Sequence, residues 1–149
     1  HDHWLAVIDI DHFKRVNDRF GHLYGDEVLI LVANRMRRSF RQGDKLFRFG
    51  GEEFVVLLRH VDAAGALATL ERFRMAIAGE QFPQVGQVTV SIGFARAAAG
   101  ASPAAVLGSA DEALYFAKAN GRNRVCQYES LVEAGHLERK TLHTEAEFF

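Results

Sequence analysis

An α+β sandwich, with helices covering a mixed central sheet, is the fold this sequence predicts. Three observations carry the prediction. Short apolar runs alternate with segments of helical periodicity. Two of the runs are separated only by a glycine-rich turn. The resulting order is strand, helix, helix, strand, strand, helix, strand, helix, strand. No internal repeat or low-complexity segment interrupts it.

Leu5 to Ile10 is apolar, β-branched and too short for a helix, so it reads as a buried strand. A core strand this close to the first residue suggests a chain cut from something longer. Phe13, Val16 and Phe20 then recur at helical spacing, and Gly21 ends that short helix. A second helix is expected to begin near Gly25, with Val28, Leu31, Val32 and Met36 on its apolar face. Lys45–Phe49 and Glu53–Leu58 flank Gly50-Gly51-Glu52 and read as a β-hairpin. Ala63, Leu67, Leu70 and Ile77 mark a third helix that stops around Gly79. Val88, Val90, Ile92 and Phe94 alternate with Thr89, Ser91 and Gly93 as a strand. Ser102-Pro103 starts a fourth helix, with Ser as N-cap, and Asn120-Gly121 ends it. A short strand follows near Arg124–Tyr128. The polar tail, residues 129–149, reads equally as helix, interdomain linker or disordered end.

Composition narrows the function. The 149 residues suit one domain with one sizeable core. Eighteen Lys and Arg against nineteen Asp and Glu leave a formal charge of −1, which argues against a nucleic-acid polymer as partner. A small phosphorylated ligand needs only a few placed cations. No apolar run approaches the ~20 residues of a membrane span, and the start is no signal peptide. Cys126 stands alone, which excludes an internal disulfide and fits the cytoplasm; in its strand pattern it reads as a small core residue.

Three clusters carry chemistry. Asp9-Ile10-Asp11-His12-Phe13-Lys14 ends the first strand, where two carboxylates suit a rim site as well as a solvated strand end. An EF-hand reading fails, because Lys14 and Phe20 stand where such a loop needs Gly and Glu. Asn17, Asp18, Gly21, His22, Gly25 and Asp26 form the second cluster. Asn and Asp side chains can read a purine edge, although they also serve as caps and turn residues. The third, Gly50-Gly51-Glu52-Glu53-Phe54, sets adjacent acids in a hairpin turn whose glycines admit a bulky substrate. Repulsion between adjacent carboxylates is removed by a divalent cation; the plain alternative is an exposed polar turn.

Together these motifs resemble the GGDEF domains, the diguanylate cyclases, with Glu52 giving a GGEEF variant. Ser91-Ile92-Gly93 and the run from Ala110-Asp111 through Tyr115 and Lys118 to Gly121-Arg122-Asn123 also match the family pattern. The resemblance spans roughly residues 4–128, taken as the GGDEF domain (1–128). One departure is that the family's preceding helix and Asp-x-Leu-Thr motif are missing.

The resemblance implies a βααββαβ palm-like core of the ferredoxin-like, nucleotidyl cyclase type, with an added C-terminal helix and strand. It implies condensation of two GTP into cyclic di-GMP by a homodimer, each copy offering a 3′-hydroxyl to its partner's α-phosphate. It assigns Asp9, the Ile10 carbonyl, Glu53 and Glu52 to two Mg²⁺ ions per site, with Mn²⁺ an alternative, and leaves open whether Glu52 is chiefly ligand or base. It places Asn17, His22 and Asp26 around guanine, with Gly50 and Gly51 against the substrate. Lys14, Lys118, Arg122 and the backbone at His12 and Phe13 go to the phosphates, and Lys14 also stabilises transition-state charge. Arg41, Asp44 and Arg72 become an inhibitory product site, with Arg41 bonding guanine bidentately. A regulatory domain fused at the N-terminus is implied as well. Three rival readings are a silent domain sensing GTP or cyclic di-GMP, a palm-like cyclase acting on ATP, and a structural dimerisation domain. The intact acids disfavour the first and third, and Asn17 with Asp26 disfavours the second.

Overall fold

The structure, a computed structural model, describes residues 2–138. Five strands form one sheet: β1 (Trp4–Ile10), β2 (Lys45–Arg48), β3 (Glu53–Leu58), β4 (Val90–Arg96) and β5 (Val125–Gln127), in the order β2-β3-β1-β4-β5. Only β4 and β5 run parallel, so the sheet is mixed. Five helices complete the fold: α1 (Phe13–Phe20), α2 (His22–Ser39), α3 (Ala63–Ala78), α4 (Pro103–Ala119) and α5 (Tyr128–Glu133). The first seven elements are the expected βααββαβ core.

Strand periodicity explains the layers. Ala6, Ile8 and Ile10 face a large apolar cluster with Val28, Val32 and Met36 of α2 and Leu70, Phe73 and Ile77 of α3. Val7, Val55 and Ala95 face the other way, onto Ala110, Ala113 and Leu114 of α4. β1 is therefore covered on both faces, which accounts for its continuous apolar run.

Two helix–helix or helix–strand approaches fix the site's walls. A Cβ on Gly93 would lie 2.1 Å from the Leu114 amide nitrogen and 2.3 Å from the Ala110 carbonyl. Only glycine lets α4 lie this close to β4. Gly25, expected to begin the second helix, instead sits inside α2, which starts at His22. There a Cβ would meet Asn17 Oδ1 at 1.8 Å, so Gly25 is the notch that lets α1 cross α2. β4 starts at Val90 rather than Val88 and extends to Arg96. Ser91 is fully buried and Gly93 lies against α4, so β4 is covered on both faces.

The segment after the last strand begins as a helix. α5 turns Tyr128 and Leu131 into the cluster shared with α4. Residues 139–149 of the predicted tail lie outside the described residues.

Candidate active site

The reactive geometry is set by register. β1 and β3 pair so that Asp9 stands opposite Glu53, while β1 and β4 place Asp9 opposite Ser91. The Ile10 amide donates to the Glu52 carbonyl at 3.2 Å, tying the strand end to the hairpin turn. The turn is closed by Phe49 N–H to the Glu53 carbonyl at 2.7 Å. Arg48 holds its outer edge, donating from Nε and Nη2 to the Gly51 carbonyl at 3.3 and 2.9 Å. A Cβ on Gly50 or Gly51 would meet nothing within 4 Å, so space is open above the tip.

These acids are electrostatically frustrated. Asp9 is buried, and its Oδ1 has no hydrogen-bond partner. Its Oδ2 accepts from the Lys118 ammonium, brought over by α4. Burial nonetheless pushes the Asp9 carboxyl above its usual value, with Glu52 and Asp11 adding to the rise against Lys118. Glu53 is pushed up as well, first by burial and then by the charges of Asp111 and Asp9. Among the described residues no three His, Cys, Asp or Glu side chains converge into a ready-made metal cage. Mg²⁺ does not require one. It is commonly held by one or two carboxylates and completed by waters and substrate phosphates. An orphaned buried carboxylate oxygen beside a second raised carboxyl therefore fits such an ion.

The groups expected around a nucleotide spread from this point along two walls. Lys14 is exposed on the first turn of α1, beside Phe13, whose ring is buried in the core. His12 caps that helix with a left-handed backbone, φ 56°. Asn17 is half-buried against Gly25, and His22 and Asp26 are exposed on the first two turns of α2. Asp26 opens onto a groove of about 640 Å³ between α2 and the hairpin, lined also by Leu29, Arg37, Phe47 and Arg48. On the opposite wall Lys118 is committed to Asp9, while Arg122 is exposed just beyond α4.

The family profile described as "Diguanylate cyclase, GGDEF domain" matches residues 1–124. The chain belongs to this family. Diguanylate cyclase DgcP of Pseudomonas aeruginosa is 48% identical over 124 residues, covering 81% of this chain and 18% of that protein. Response regulator PleD of Caulobacter vibrioides is 47% identical over 125 residues, covering 80% of this chain and 28% of PleD. The chain thus spans well under a third of these curated relatives. Among solved structures, the GGDEF domain of DgcB from Caulobacter crescentus, in complex with c-di-GMP, superimposes with a TM-score of 0.82. It is 39% identical, and the match covers 85% of this chain and 78% of that one. The active GGEEF domain of a diguanylate cyclase from Vibrio cholerae gives 0.80 at 35% identity, covering 86% and 83%.

In this GGDEF domain the second set of predicted residues lies elsewhere. Asp44 neighbours Arg59, just past the end of β3 remote from Glu53, so about 20 Å of strand separates the two places. Asp44 is buried; its Oδ2 accepts from the Arg41 amide at 3.0 Å and its Oδ1 from the Arg59 amide at 3.1 Å. Arg41 is exposed, 3.8 Å from Asp44, and also donates to the Arg59 carbonyl. Arg72 is exposed on α3. Asp44 thus already serves the loop, where the sequence suggested a side chain facing a ligand.

Residues to which the sequence assigned no role also shape the site. Asp111 bears on Glu53 from α4, Arg48 braces the turn, and Asp11 is buried in a polar network. The spacing of Asp9 and Asp11 hinted at the last, since residues two apart on a strand share a face.

Proposed function

We propose that this GGDEF domain is a Mg²⁺-dependent diguanylate cyclase that condenses two GTP into cyclic di-GMP and two pyrophosphates. The observation carrying the proposal is the register pair Asp9–Glu53, two carboxyls raised by burial with one oxygen left unpartnered. Such a pair is costly in a free protein and suited to a site that gains charge when substrate arrives.

Asp9, the Ile10 carbonyl, Glu53 and Glu52 would hold the metal, two Mg²⁺ per site or Mn²⁺ in their place. Bound there, it would neutralise triphosphate charge and make the 3′-hydroxyl a better nucleophile. The chain's own groups do the rest. Asn17 and Asp26 present an amide and a carboxylate to the guanine edge, with His22 beside them. Lys14, Arg122 and the first amides of α1 bind phosphate oxygens. Lys118 exchanges Asp9 for the triphosphate when the nucleotide enters. Glu52, at the open tip, is placed to take the 3′-hydroxyl proton or to serve as a ligand.

One domain presents one such site, so the reaction needs two copies facing each other across a two-fold axis. Each 3′-oxygen attacks the partner's α-phosphorus, and the bond to the β-phosphate oxygen breaks to release pyrophosphate. A regulatory domain on the same polypeptide, as the response-regulator relative's name suggests, would bring the copies together. Product inhibition through Arg41 and Arg72 completes the proposal, with Asp44 holding the loop that presents Arg41. The lone Cys126 fits the cytoplasm.

The test is incubation of concentrated protein with GTP and Mg²⁺ beside a Glu52→Ala, Glu53→Ala double variant, with nucleotides separated by chromatography and weighed by mass. Cyclic di-GMP from the parent alone is expected. Tight GTP or cyclic di-GMP binding without product, persisting after an artificial dimeriser is fused to the chain, would favour the receptor reading.

A further inference from the structure

Asp11 sits two residues beyond Asp9 and is equally buried, yet its surroundings differ. Its Oδ1 accepts from Ser91 Oγ at 2.6 Å. Its Oδ2 accepts from Thr89 Oγ1 at 2.7 Å and from the Asn123 backbone amide at 3.0 Å. Three donors from two chain segments far apart in sequence therefore converge on one carboxylate. Ser91 and Thr89 fix it to the start of β4, and the third bond reaches the turn after α4.

That turn is unusual in its backbone. Arg122 and Asn123 are consecutive non-glycine residues with left-handed conformations, φ 60° and 47°. Such residues persist where the surroundings hold them. Three side chains do so here, one of them Arg124, whose Nε donates to the Arg122 carbonyl at 3.1 Å. Asp11 takes the Asn123 amide, and Arg74 of α3 donates to Asn123 Oδ1 at 2.9 Å while pairing with Glu71 at 2.7 Å. The Arg122 amide closes the turn onto the Ala117 carbonyl at 2.9 Å. The direction in which Arg122 leaves the turn follows from this backbone.

We propose that Asp11 is a positioning residue for substrate phosphate: it clamps the Arg122–Asn123 turn to the end of β1, so that Arg122 and the α1 N-terminus face the same triphosphate. The proposal rests on the reading of Arg122 as a phosphate contact. Asp11 touches no substrate itself. It is a hinge point shared by the strand that carries Asp9 and the turn that carries Arg122. An amide can replace it: Asn at this position keeps an oxygen for Asn123 and Thr89, and its NH₂ donates to Ser91, whose hydroxyl can turn to accept.

The experiment is calorimetric binding of GTP and of guanosine in EDTA, which keeps metal out of the readout, with Asp11→Ala, Asp11→Asn, Arg122→Ala and the Asp11→Ala, Arg122→Ala pair. Asp11→Ala is expected to weaken GTP about tenfold, the order of one lost charge-assisted contact, and to leave guanosine within about twofold. Asp11→Asn should stay within about threefold of the parent for GTP, and Asp11→Ala should add nothing to Arg122→Ala. Additive losses in the pair, or equal losses for GTP and guanosine, would overturn the clamp while leaving Arg122 as a phosphate contact. No loss in Arg122→Ala would overturn both. Hydrogen exchange in the parent gives a check independent of any variant's folding. The Asn123 amide should be protected although its residue is exposed, and exchange at the rate of a free loop amide would refute the proposal.

Discussion

Two buried aspartates, each beside a basic side chain, lie at opposite ends of the same sheet and behave differently. At the 41–44 loop, Asp44 gives one oxygen to each of two backbone amides, with Arg41 alongside. At the hairpin, Asp9 has Lys118 on one oxygen and nothing on the other, with Glu53 across the ladder. The first arrangement is complete without a ligand and reads as structure. The second is incomplete and reads as a site awaiting charge. Burial alone does not separate them; satisfaction of the buried oxygens does.

The largest expected effect probes the incomplete end. Asp9→Ala should lower cyclic di-GMP formation by about 10²–10³-fold, the scale of losing a group that acts in the transition state. At the complete end the effect should fall on stability. Asp44→Ala strands two backbone amides and should cost about 2–4 kcal/mol in a denaturant titration. Arg41→Ala removes only the exposed partner and should cost under about 1 kcal/mol. Its visible effect should be on inhibition, with cyclic di-GMP no longer suppressing turnover. An unchanged inhibition curve in that variant would remove Arg41 from the product site.

The smallest effect tests the sign of the frustration. A carboxyl raised on folding keeps its proton to higher pH in the native state than in the unfolded chain. Stability is therefore lost as pH rises from the ordinary Glu value of 4.5 through the raised one. Glu53→Gln removes that loss. Its melting temperature should match the parent near pH 4 and exceed it by about 1–2 °C at pH 7, a modest gain because solvent screens a partly exposed group. Mg²⁺ should raise the parent's melting temperature and leave that of Glu53→Gln nearly unchanged.

Much of this comparison was legible in the sequence. The periodicity that buries β1, the Ser102-Pro103 start of α4 and the hairpin at Gly50-Gly51 are readable residue by residue, whereas the approach of Asp9 to Glu53 was implied only by the family resemblance. What the sequence could not supply is who satisfies whom. Asp9, Asp11 and Asp44 are the same residue type, and only tertiary neighbours distinguish the orphan from the two that are bonded. Gly25 shows the same limit: as a letter it signals a helix start, whereas in the fold it is a gap for Asn17. Lys118 read as a phosphate contact, and nothing local indicated that α4 would lay it on Asp9 in the free protein.

The most direct measurement is thermal melting and GTP turnover of Asp9→Asn, run side by side with the parent. An amide in place of a frustrated carboxylate should melt no lower than the parent while forming no detectable cyclic di-GMP. A variant that melts several degrees lower yet turns over GTP at the parent rate would show that Asp9 is structural, and that the reactive centre lies elsewhere.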